Sequence, residues 1–364
     1  MVHSDLPSAT RGGVRHQVSR LADALAKRGH RVTALTFTDA PPGVAYEART
    51  LPVASTLARD RRLRMVSAPF VFAATSYSAF DIVHVHGDSQ LLWRRKTPVL
   101  RTFYGSAADE ARYATSTRQR ILQRYHHLGE RASRRMATRT VGISRTTGAA
   151  IGQLDAVIPC GCDLEFFRPG IKEVRPTVLF VGTWEGRKRG KLVAEVFERV
   201  VRPRIPDARL WMVVDRQVHG RGIESFTDIP DIQVADLMRR AWLFTMPSTY
   251  EGFGVPYIEA LASGTPVVTT PNPGARELFA DEVAGMLVEE ESLGSALADV
   301  LVDAARLHTM SASARGASER FGWGAVCAAY ELQYMTAIGA KVTMDGRVGR
   351  KIQGFKAPRS SRAQ

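Results

Sequence analysis

The alternation of short apolar strands with helical stretches begins twice along this chain, and that restart most constrains its fold. In the first half, strands are predicted at "RVTALTF", "DIVHVH" and "RTVGIS". The series begins again in the second half with "TVLFVG", "RLWMVV", "WLFTMP" and "PVVTT". Strands that alternate with helices are typical of parallel sheets covered by helices. The sequence therefore predicts an α/β protein with two doubly wound, Rossmann-like domains.

A segment rich in proline and glycine, "VIPCGCDLEFFRP" at 157–169, separates the two series and is predicted to be the linker. We accordingly predict domains at 1–165 and 166–320, a C-terminal helix at 321–340, and a basic tail at 341–364 that is expected to be disordered. A chain of 364 residues is long for a single core, which favours the same division. The carboxyl ends of the two sheets are expected to face one cleft, where such sheets bind ligands.

The first helix is predicted at Val14–Arg28, with Gly29 as its C-cap. Its apolar residues fall on one helical stripe, as expected of a surface helix: Val14, Val18, Leu21 and Leu25. A doubly wound domain needs a strand before this helix, yet only "MVHSDLP" precedes the Gly12-Gly13 loop. We expect either a shortened first strand or a start that lies further upstream.

The net charge of +14 is concentrated in two blocks. The segment 340–364 holds seven Lys or Arg against Asp345 alone, and Arg112 to Arg139 carries eight Arg against Glu130. Neither block has the interleaved aromatic residues of a nucleic-acid site, so no nucleic-acid partner is predicted. Such blocks are usually solvated surfaces, and contact with an anionic membrane is the alternative.

Cysteine content and hydropathy predict a cytoplasmic protein. Cys160, Cys162 and Cys327 are too few for a disulfide framework, which favours a reducing compartment. No signal-peptide core is found in residues 1–15, and the longest uncharged run, Met65–Phe80, is short and interrupted by polar residues. A peripheral position at the inner face of a membrane remains compatible with this prediction.

Two carboxylates stand in the stretch "YEGFGVPYIE" at 250–259. Glu251 follows a predicted strand directly and lies in a glycine-rich turn, whereas Glu259 lies within a short helix that begins near Pro256. The N-terminus of that helix suits a diphosphate, and carboxylates beside a phosphate would bind hydroxyl groups instead. A sugar on one side and a ribose on the other would meet this demand, so the stretch indicates a nucleotide sugar.

Here the sequence resembles the retaining glycosyltransferases of the GT4 type, which have the GT-B fold. The segment "PSTYEGFGVPYIEALASGTPVV" at 247–268 is similar to their E-x7-E motif nearly throughout. Further similarity lies in "RGGVRHQVSRLADALAKRGHRVTALT", "DIVHVHG", the linker, "VLFVG" with Lys188, and "RFGWGAVCAAYELQY". The resemblance covers most of the chain and leaves out the basic tail.

The resemblance implies a role for each matching residue. Glu251, with the amides of Phe253 and Gly254, would hold the donor sugar, Glu259 would hold the ribose, and Lys188 would neutralise the leaving diphosphate. Gly13 would add a backbone amide from the opposite domain, onto which the last helix would cross back. The remaining implied residues are Arg187 and Val255 on the donor side, and Gly12 and His86 on the acceptor side.

Two positions depart from the family pattern. Thr183 stands where the family usually has Arg, a phosphate contact that Arg187 or Lys191 would have to replace. Tyr104 in "TFYGS" stands where the family usually has His, and its phenol would donate a hydrogen bond to the donor sugar. A binding protein that retains the nucleotide-sugar site but has lost turnover is therefore an alternative function.

A second alternative comes from "HVHGD" at 84–88, which fits the opening of a metal-dependent hydrolase because alternate strand residues share one face. Two half-buried imidazoles that line the cleft are the favoured interpretation of this motif.

Taken together, the sequence predicts a metal-independent retaining glycosyltransferase that moves a hexosyl unit from a UDP- or GDP-linked donor. No cofactor is expected beyond this co-substrate. The acceptor is left open among a soluble metabolite, a polysaccharide and a lipid-linked molecule.

Overall fold

The computed structural model describes residues 1–7, 13–51, 61–87, 91–92, 96–112, 116–280 and 283–339. The chain divides into two compact units. The first unit comprises Met1–Gly161 together with the segment from Trp323 onward, and the second unit comprises Cys162–Gly322. Gly12, Asp88 and the basic tail lie outside the described residues.

Parallel strands form the sheet layer of the first unit. Its strands are β1 Thr33–Thr36, β2 Glu47–Thr50, β3 Val83–His86, β4 Val99–Phe103, β5 Arg139–Gly142 and β6 Ala156–Val157. Its helices are α1 Gly13–Lys27, α2 Arg61–Ala74, α3 Ala107–Arg112, α4 Thr117–Met136, α5 Arg145–Ile151 and, from the C-terminal segment, α13 Trp323–Ala337. β1 pairs with β2, and β3 to β6 pair in chain order, all in parallel.

The first residues of the chain join these two pairings into one layer. Val2 bridges Leu35 of β1 on one side and Val85 of β3 on the other, parallel to both. The amide of Val2 donates to the carbonyl of His84 at 2.8 Å, and the amide of His86 donates to the carbonyl of Val2 at 3.0 Å. The segment around Val2 therefore lies between β1 and β3 and pairs with both strands.

The second unit contains a six-stranded parallel sheet in the order β9-β8-β7-β10-β11-β12. Its strands are β7 Thr177–Val181, β8 Arg209–Val213, β9 Ile223–Phe226, β10 Leu243–Phe244, β11 Val267–Thr269 and β12 Gly285–Leu287. Its helices are α6 Gly190–Val196, α7 Arg202–Arg204, α8 Asp231–Arg240, α9 Val255–Ala262, α10 Pro273–Phe279, α11 Leu293–Val302 and α12 Ala304–Ser318. The strand order reverses between β7 and β10, and the loops after these strands form a topological switch point where doubly wound sheets bind ligands.

Burial explains why the strands are such clear apolar runs in the sequence. Val178, Leu179 and Phe180 of β7 are all fully buried, as expected of a central parallel strand. The helix predicted over Val14–Arg28 is α1, and Gly29 follows it at a φ of +98°, in the left-handed conformation that a glycine C-cap favours.

The last helix, α13, completes the first unit although it follows the second unit in sequence. Val326, Cys327 and Tyr330 share a core cluster with Leu21 and Leu25 of α1. At the end of the same helices, Arg28 Nε and Nη2 each lie 2.7 Å from a carboxylate oxygen of Glu331. Burial opposes ionisation of Glu331, but hydrogen bonds from Arg28 and His30 outweigh it and lower the pKa of this carboxyl to about 2.

Among the helices of the described ranges, none combines the length and the apolar character that crossing a bilayer requires.

Candidate active site

An ion pair joins the loops that follow β7 and β10, the two strands at the switch point of the second unit. Lys188 ends the 3₁₀ turn Gly186–Lys188, and Glu251 lies in the turn before α9. Lys188 Nζ lies 2.7 Å from Glu251 Oε1, and the two side chains are only 17% and 8% exposed. Burial lowers the pKa of Lys188, and the charge of Glu251 opposes this shift. The chain has thus placed a cation with reduced hydration beside a buried carboxylate.

Arg187 adds a second cation on the more exposed side of this pair. Its Nη1 lies 3.2 Å from Glu251 Oε1 and donates to the carbonyl of Tyr250 at 2.8 Å. The Arg187 carbonyl in turn accepts from the amide of Thr249 at 3.0 Å. Two neighbouring cations at one place suit an anionic ligand such as a diphosphate.

The carboxylate of Glu251 keeps capacity to accept hydrogen bonds. Its Oε1 atom lies 2.7 Å from Lys188 Nζ and 3.2 Å from Arg187 Nη1, and the Lys188 ammonium also contacts the sulfur of Met246 at 3.1 Å. A carboxylate offers about four lone-pair sites, so cations at one oxygen leave sites for further donors. A ligand hydroxyl that donates to Glu251 would therefore be bound favourably.

The turn that carries Glu251 is held by glycine geometry. Gly254 has a φ of +93°, and a Cβ at this position would lie 2.4 Å from the ring of Tyr257. The amide of Gly274 donates to the Glu251 carbonyl at 2.9 Å, and a Cβ on Gly274 would lie 2.5 Å from the carbonyl oxygen of Phe253. Larger residues at either glycine would therefore displace the backbone beside Glu251.

A buried polar cluster, not anticipated from the sequence, fixes this turn from below. The hydroxyl of Tyr257 donates to the Met246 carbonyl at 2.7 Å and accepts from Asn272 Nδ2 at 3.1 Å. Asn272 also caps α10, because its Oδ1 accepts from the amide of Ala275 at 3.0 Å. The "Asn-Pro" pair at 272–273 is a typical helix start and was the available signal.

Glu251 lies in the turn and Glu259 lies on α9, as the sequence predicts. Glu259 is partly buried, and its charge raises the pKa of Lys188, which shows that it belongs to the same electrostatic neighbourhood. Phe253 and Gly254 are buried in the turn, and Val255 begins the helix. The structure therefore brings the second-unit residues of the predicted site together.

Thr183, one of the two departures from the family pattern, has a local role. Thr183 donates its hydroxyl to the carbonyl of Glu185 at 2.8 Å and so shapes the turn before Lys188. Lys191 is exposed, with its Nζ 4.0 Å from Glu195, and lies with Arg189 along an open cavity of about 450 Å³. Arg189 has a left-handed φ of 61° and pairs with Glu290, a feature that the sequence analysis missed.

In the first unit, the predicted residues His86 and Tyr104 contact each other. His86 Nδ1 and the Tyr104 hydroxyl lie 3.0 Å apart, and burial is the main cause that lowers the pKa of His86 and raises that of Tyr104. His86 Nε2 is buried and has no partner among the described residues. Gly13 is exposed at the start of α1, and Gly12 lies outside the described residues.

The expectation of two half-buried imidazoles is wrong, because His84 and His86 are both fully buried. Tyr334 of α13 packs against His84, with its hydroxyl 2.7 Å from His84 Nδ1. The two rings do share one face, with centroids 3.8 Å apart. His84 Nε2 lies 2.8 Å from the Thr102 hydroxyl, so both nitrogens of His84 already have partners. Within the described ranges, no three His, Cys, Asp or Glu residues converge as metal ligands.

Two family models match the chain in succession. "Glycosyltransferase Family 4" matches residues 11–166, and "Glycosyl transferases group 1" matches residues 175–306. The chain is also 27% identical to a phosphatidyl-myo-inositol mannosyltransferase from Mycolicibacterium smegmatis, over 93% of this chain and 94% of that relative.

The chain belongs to the GT4-type glycosyltransferases. Solved structures agree with the fold expected of this family. A sucrose-phosphate synthase from Thermosynechococcus elongatus superposes with a TM-score of 0.76 at 21% identity, covering 93% of this chain and 98% of its own. Anabaena Alr3699/HepE in complex with UDP-glucose gives a TM-score of 0.66 at 16% identity, with 93% and 98% covered. This GT4-type glycosyltransferase therefore has the GT-B fold, with two Rossmann-like α/β units.

Proposed function

We propose that this glycosyltransferase transfers a hexosyl unit from a UDP- or GDP-linked donor with retention of anomeric configuration and without a metal ion. The observation that carries the proposal is the buried ion pair of Lys188 and Glu251 at the switch point, with Arg187 beside it. Binding of a nucleotide sugar requires two groups side by side. One is a cation for the leaving diphosphate, and the other is a carboxylate that accepts a hydrogen bond from a sugar hydroxyl.

We assign the donor-side roles as follows. Lys188 and Arg187 hold the charge of the diphosphate, and their position beside Glu251 supports this assignment because it places two cations next to the group proposed to hold the sugar. Glu251 and the backbone of Phe253, Gly254 and Val255 hold the sugar, and Glu259 on α9 holds the ribose. The family resemblance further assigns Gly13 to the phosphate and Tyr104 to the sugar. Gly12 and His86 belong to the acceptor side.

In the proposed reaction, the bond between the anomeric carbon and the diphosphate oxygen breaks while the acceptor hydroxyl forms a bond on the same face of the sugar. The proton of that hydroxyl passes to the departing diphosphate oxygen. Lys188 and Arg187 stabilise the negative charge that develops there, a contribution typically worth several kcal/mol in a water-poor site. No cofactor beyond the nucleotide sugar enters this step.

For the acceptor, we propose a lipid-linked molecule, with a soluble metabolite or polysaccharide as the alternative. The relative from Mycolicibacterium smegmatis is named for an inositol phospholipid, and its similarity extends over nearly the whole chain. A lipid-borne acceptor would require a cytoplasmic enzyme to reach the anionic face of a membrane peripherally.

A donor panel tests the proposal. UDP- and GDP-linked hexoses would be compared by thermal shift and by slow donor hydrolysis, for the wild type, Glu251→Gln and the control Glu224→Gln on the exposed face of β9. We expect one donor class to stabilise all three proteins, and hydrolysis to be lost only in Glu251→Gln. Stabilisation by no nucleotide sugar would contradict the proposed function.

The same panel distinguishes the binding-protein alternative, which the departures at Tyr104 and Thr183 favour. A wild type that is strongly stabilised by one donor, yet releases no sugar to water, phosphatidylinositol vesicles or soluble inositol phosphate, would support binding without turnover.

A further inference from the structure

An open cavity of about 560 Å³ lies in the second unit, between the segment 168–174 and the last turns of α8. Cavities of about 300–1,000 Å³ are typical of sites that bind small molecules. Lys172 lines this cavity, and its ammonium donates to the carbonyl of Ala241 at 2.8 Å and to the hydroxyl of Thr265 at 2.7 Å. An ammonium has three N–H donors, so one donor of Lys172 is left for a ligand.

Lys172 is a half-buried cation that no carboxylate of the described residues neutralises. The carbonyl that follows α8 supplies only the partial negative charge of a helix C-terminus. Burial lowers the pKa of Lys172 to about 8, and within the described ranges no acidic neighbour offsets this shift. Buried cations in proteins are usually paired with an anion. The missing partner of Lys172 therefore points to an anionic ligand in the cavity.

The carboxylates that line the same cavity are already paired. Glu173 lies 2.5 Å from Arg240 Nη2, and Asp236 lies 3.2 Å from Arg240 Nη1. The hydrogen bond from Arg240 is the main cause that holds the pKa of Glu173 below its ordinary value. Arg168 is exposed at the rim and forms no ion pair with the residues that the structure describes. Lys172 and Arg168 thus remain for an anion.

Two apolar side chains flank Lys172 and are almost fully exposed. Ile171 and Val174 are 92% and 90% exposed, and both line the cavity. Covering such surface is favourable in proportion to the apolar area removed from water. A ligand with an apolar body beside its anionic group would therefore use both features of this cavity.

We propose that the cavity binds a small organic phosphate, with the phosphate at Lys172 and Arg168 and the apolar body against Ile171 and Val174. Lysine and arginine are the side chains that most often hold phosphate groups. A phosphate monoester carries close to two negative charges at neutral pH, so it matches two cations better than a carboxylate does.

The cavity is separate from the candidate active site. Ala241 and Thr265 precede β10 and β11 and so lie at the amino ends of these parallel strands, whereas Glu251 follows the carboxyl end of β10. The phosphate that binds at Lys172 is therefore not the donor nucleotide. The inference does not depend on the proposed function, and each can fail without the other.

Calorimetric titration with phenyl phosphate tests the two cations. Lys172→Met should weaken binding about tenfold to a hundredfold, as expected when a charge-assisted hydrogen bond is lost. Arg168→Gln changes an exposed residue and should weaken binding about threefold. This second variant keeps the test valid if Lys172→Met fails to fold. Arg175→Gln, an exposed arginine of the same segment outside the cavity, is the control and should bind like wild type.

A second set of variants tests the apolar contact. Ile171→Gln with Val174→Gln should weaken binding of phenyl phosphate about tenfold. The same double variant should bind inorganic phosphate like wild type, because that ion has no apolar part. Ile232→Gln with Val302→Gln, at residues that are 57% and 60% exposed elsewhere in the second unit, is the matched control. Benzoate, which has the same ring and a single charge, should bind wild type more weakly than phenyl phosphate does.

The protonation of Lys172 gives an independent measurement. In NMR spectra of protein labelled with ¹³C at the lysine ε-carbon, phenyl phosphate should raise the pKa of Lys172 above about 8, because a nearby anion favours the ammonium. Affinity should fall as pH rises through this pKa. The other charged groups at the cavity are Asp, Glu and Arg side chains, types that ordinarily titrate far from this pH: Arg168, Glu173, Asp236, Arg239 and Arg240.

Four results would overturn the proposal. Wild type that shows no saturable binding of phenyl phosphate would exclude the site. Equal affinity in wild type, Lys172→Met and Arg168→Gln would show that these cations do not hold the ligand. Binding that is lost in Lys188→Met but retained in Lys172→Met would place the phosphate at the candidate active site. Tighter binding of benzoate than of phenyl phosphate would exclude a phosphate as the preferred ligand.

Discussion

The carboxyl ends of the two sheets carry polar side chains of opposite electrical character. In the second unit, Lys188, Arg187 and Glu251 are charged and in mutual contact. In the first unit, His86 and Tyr104 meet as a neutral pair, since burial lowers the pKa of the imidazole and raises that of the phenol. The comparison teaches that one sheet end presents fixed charges, whereas the other presents a neutral hydrogen-bonded pair.

The largest expected effect comes from removing the carboxylate of the charged end. Glu251→Ala should lower transfer about a thousandfold or more while nucleotide binding persists, because the lost contact is to the reacting sugar. Glu259→Ala should do the reverse and chiefly weaken nucleotide binding. Steady-state transfer and nucleotide titration measure the two effects, with Glu224→Ala as the control. Near wild-type turnover in Glu251→Ala would show that the role assigned to this carboxylate is wrong.

Removing the buried cation should have the next largest effect. Lys188→Met should reduce kcat about a hundredfold, because charge on the leaving diphosphate loses its main partner. Lys191→Met, which changes an exposed lysine nearby, should be close to wild type.

The pH profile sharpens this prediction. Because burial lowers the pKa of Lys188 below its ordinary value of 10.5, the ammonium loses its proton at lower pH than an exposed lysine does. The transfer rate should therefore begin to fall at a pH below 10.5. Lys188→Arg should extend the active range to higher pH, and an unshifted alkaline limb in that variant would exclude Lys188 as its origin.

The neutral pair should give a much smaller effect. Tyr104→Phe removes one neutral hydrogen bond, so kcat should fall about threefold to tenfold. Tyr104→His should be tolerated, since it restores the residue that the family usually has.

His86→Phe tests whether the pair acts as a unit. If His86 orients Tyr104, the double variant should be no worse than the more impaired single variant, and additive losses would separate the two residues. A hundredfold loss of kcat in Tyr104→Phe would contradict the comparison, because the neutral contact would then contribute as much to the rate as the charged contact of Lys188.

Chelation should have the smallest effect. Lys188 and Arg187 already provide positive charge at the candidate site, and EDTA should leave the transfer rate within about twofold of untreated enzyme. Activity that is lost with EDTA and restored by zinc or manganese would instead revive the metal interpretation of His84 and His86.

The fold was largely predictable because local patterns determine it. The strands "TVLFVG" and "RLWMVV" appear as β7 and β8, and the helix and glycine cap at Val14–Arg28 and Gly29 appear nearly where periodicity places them. The division between units falls at Gly161, within the predicted linker. Apolar runs between turn residues carry this information directly.

Contacts between distant residues were harder to predict. The sequence predicts half-buried side chains for His84 and His86, and nothing near them in sequence reveals that Tyr334 packs against His84. The pairing of Lys188 with Glu251 depends on the sheet order that brings β7 beside β10. In the Arg112 to Arg139 block, the sequence indicates a cationic surface, but the exposure of Ile121, Tyr125 and Leu128 depends on how α4 attaches to its unit.

The placement of α13 has a consequence for the order in which this protein acquires its structure. During synthesis, the whole of Cys162–Gly322 must emerge before Trp323–Ala337 can pack on α1, so the second unit can finish folding while the first still lacks a helix. Until then, the core around Leu21 and Leu25 and the imidazole of His84 stay uncovered. The nascent chain thus passes through a stage in which the second unit is finished and the first unit is open and aggregation-prone, until α13 packs on α1.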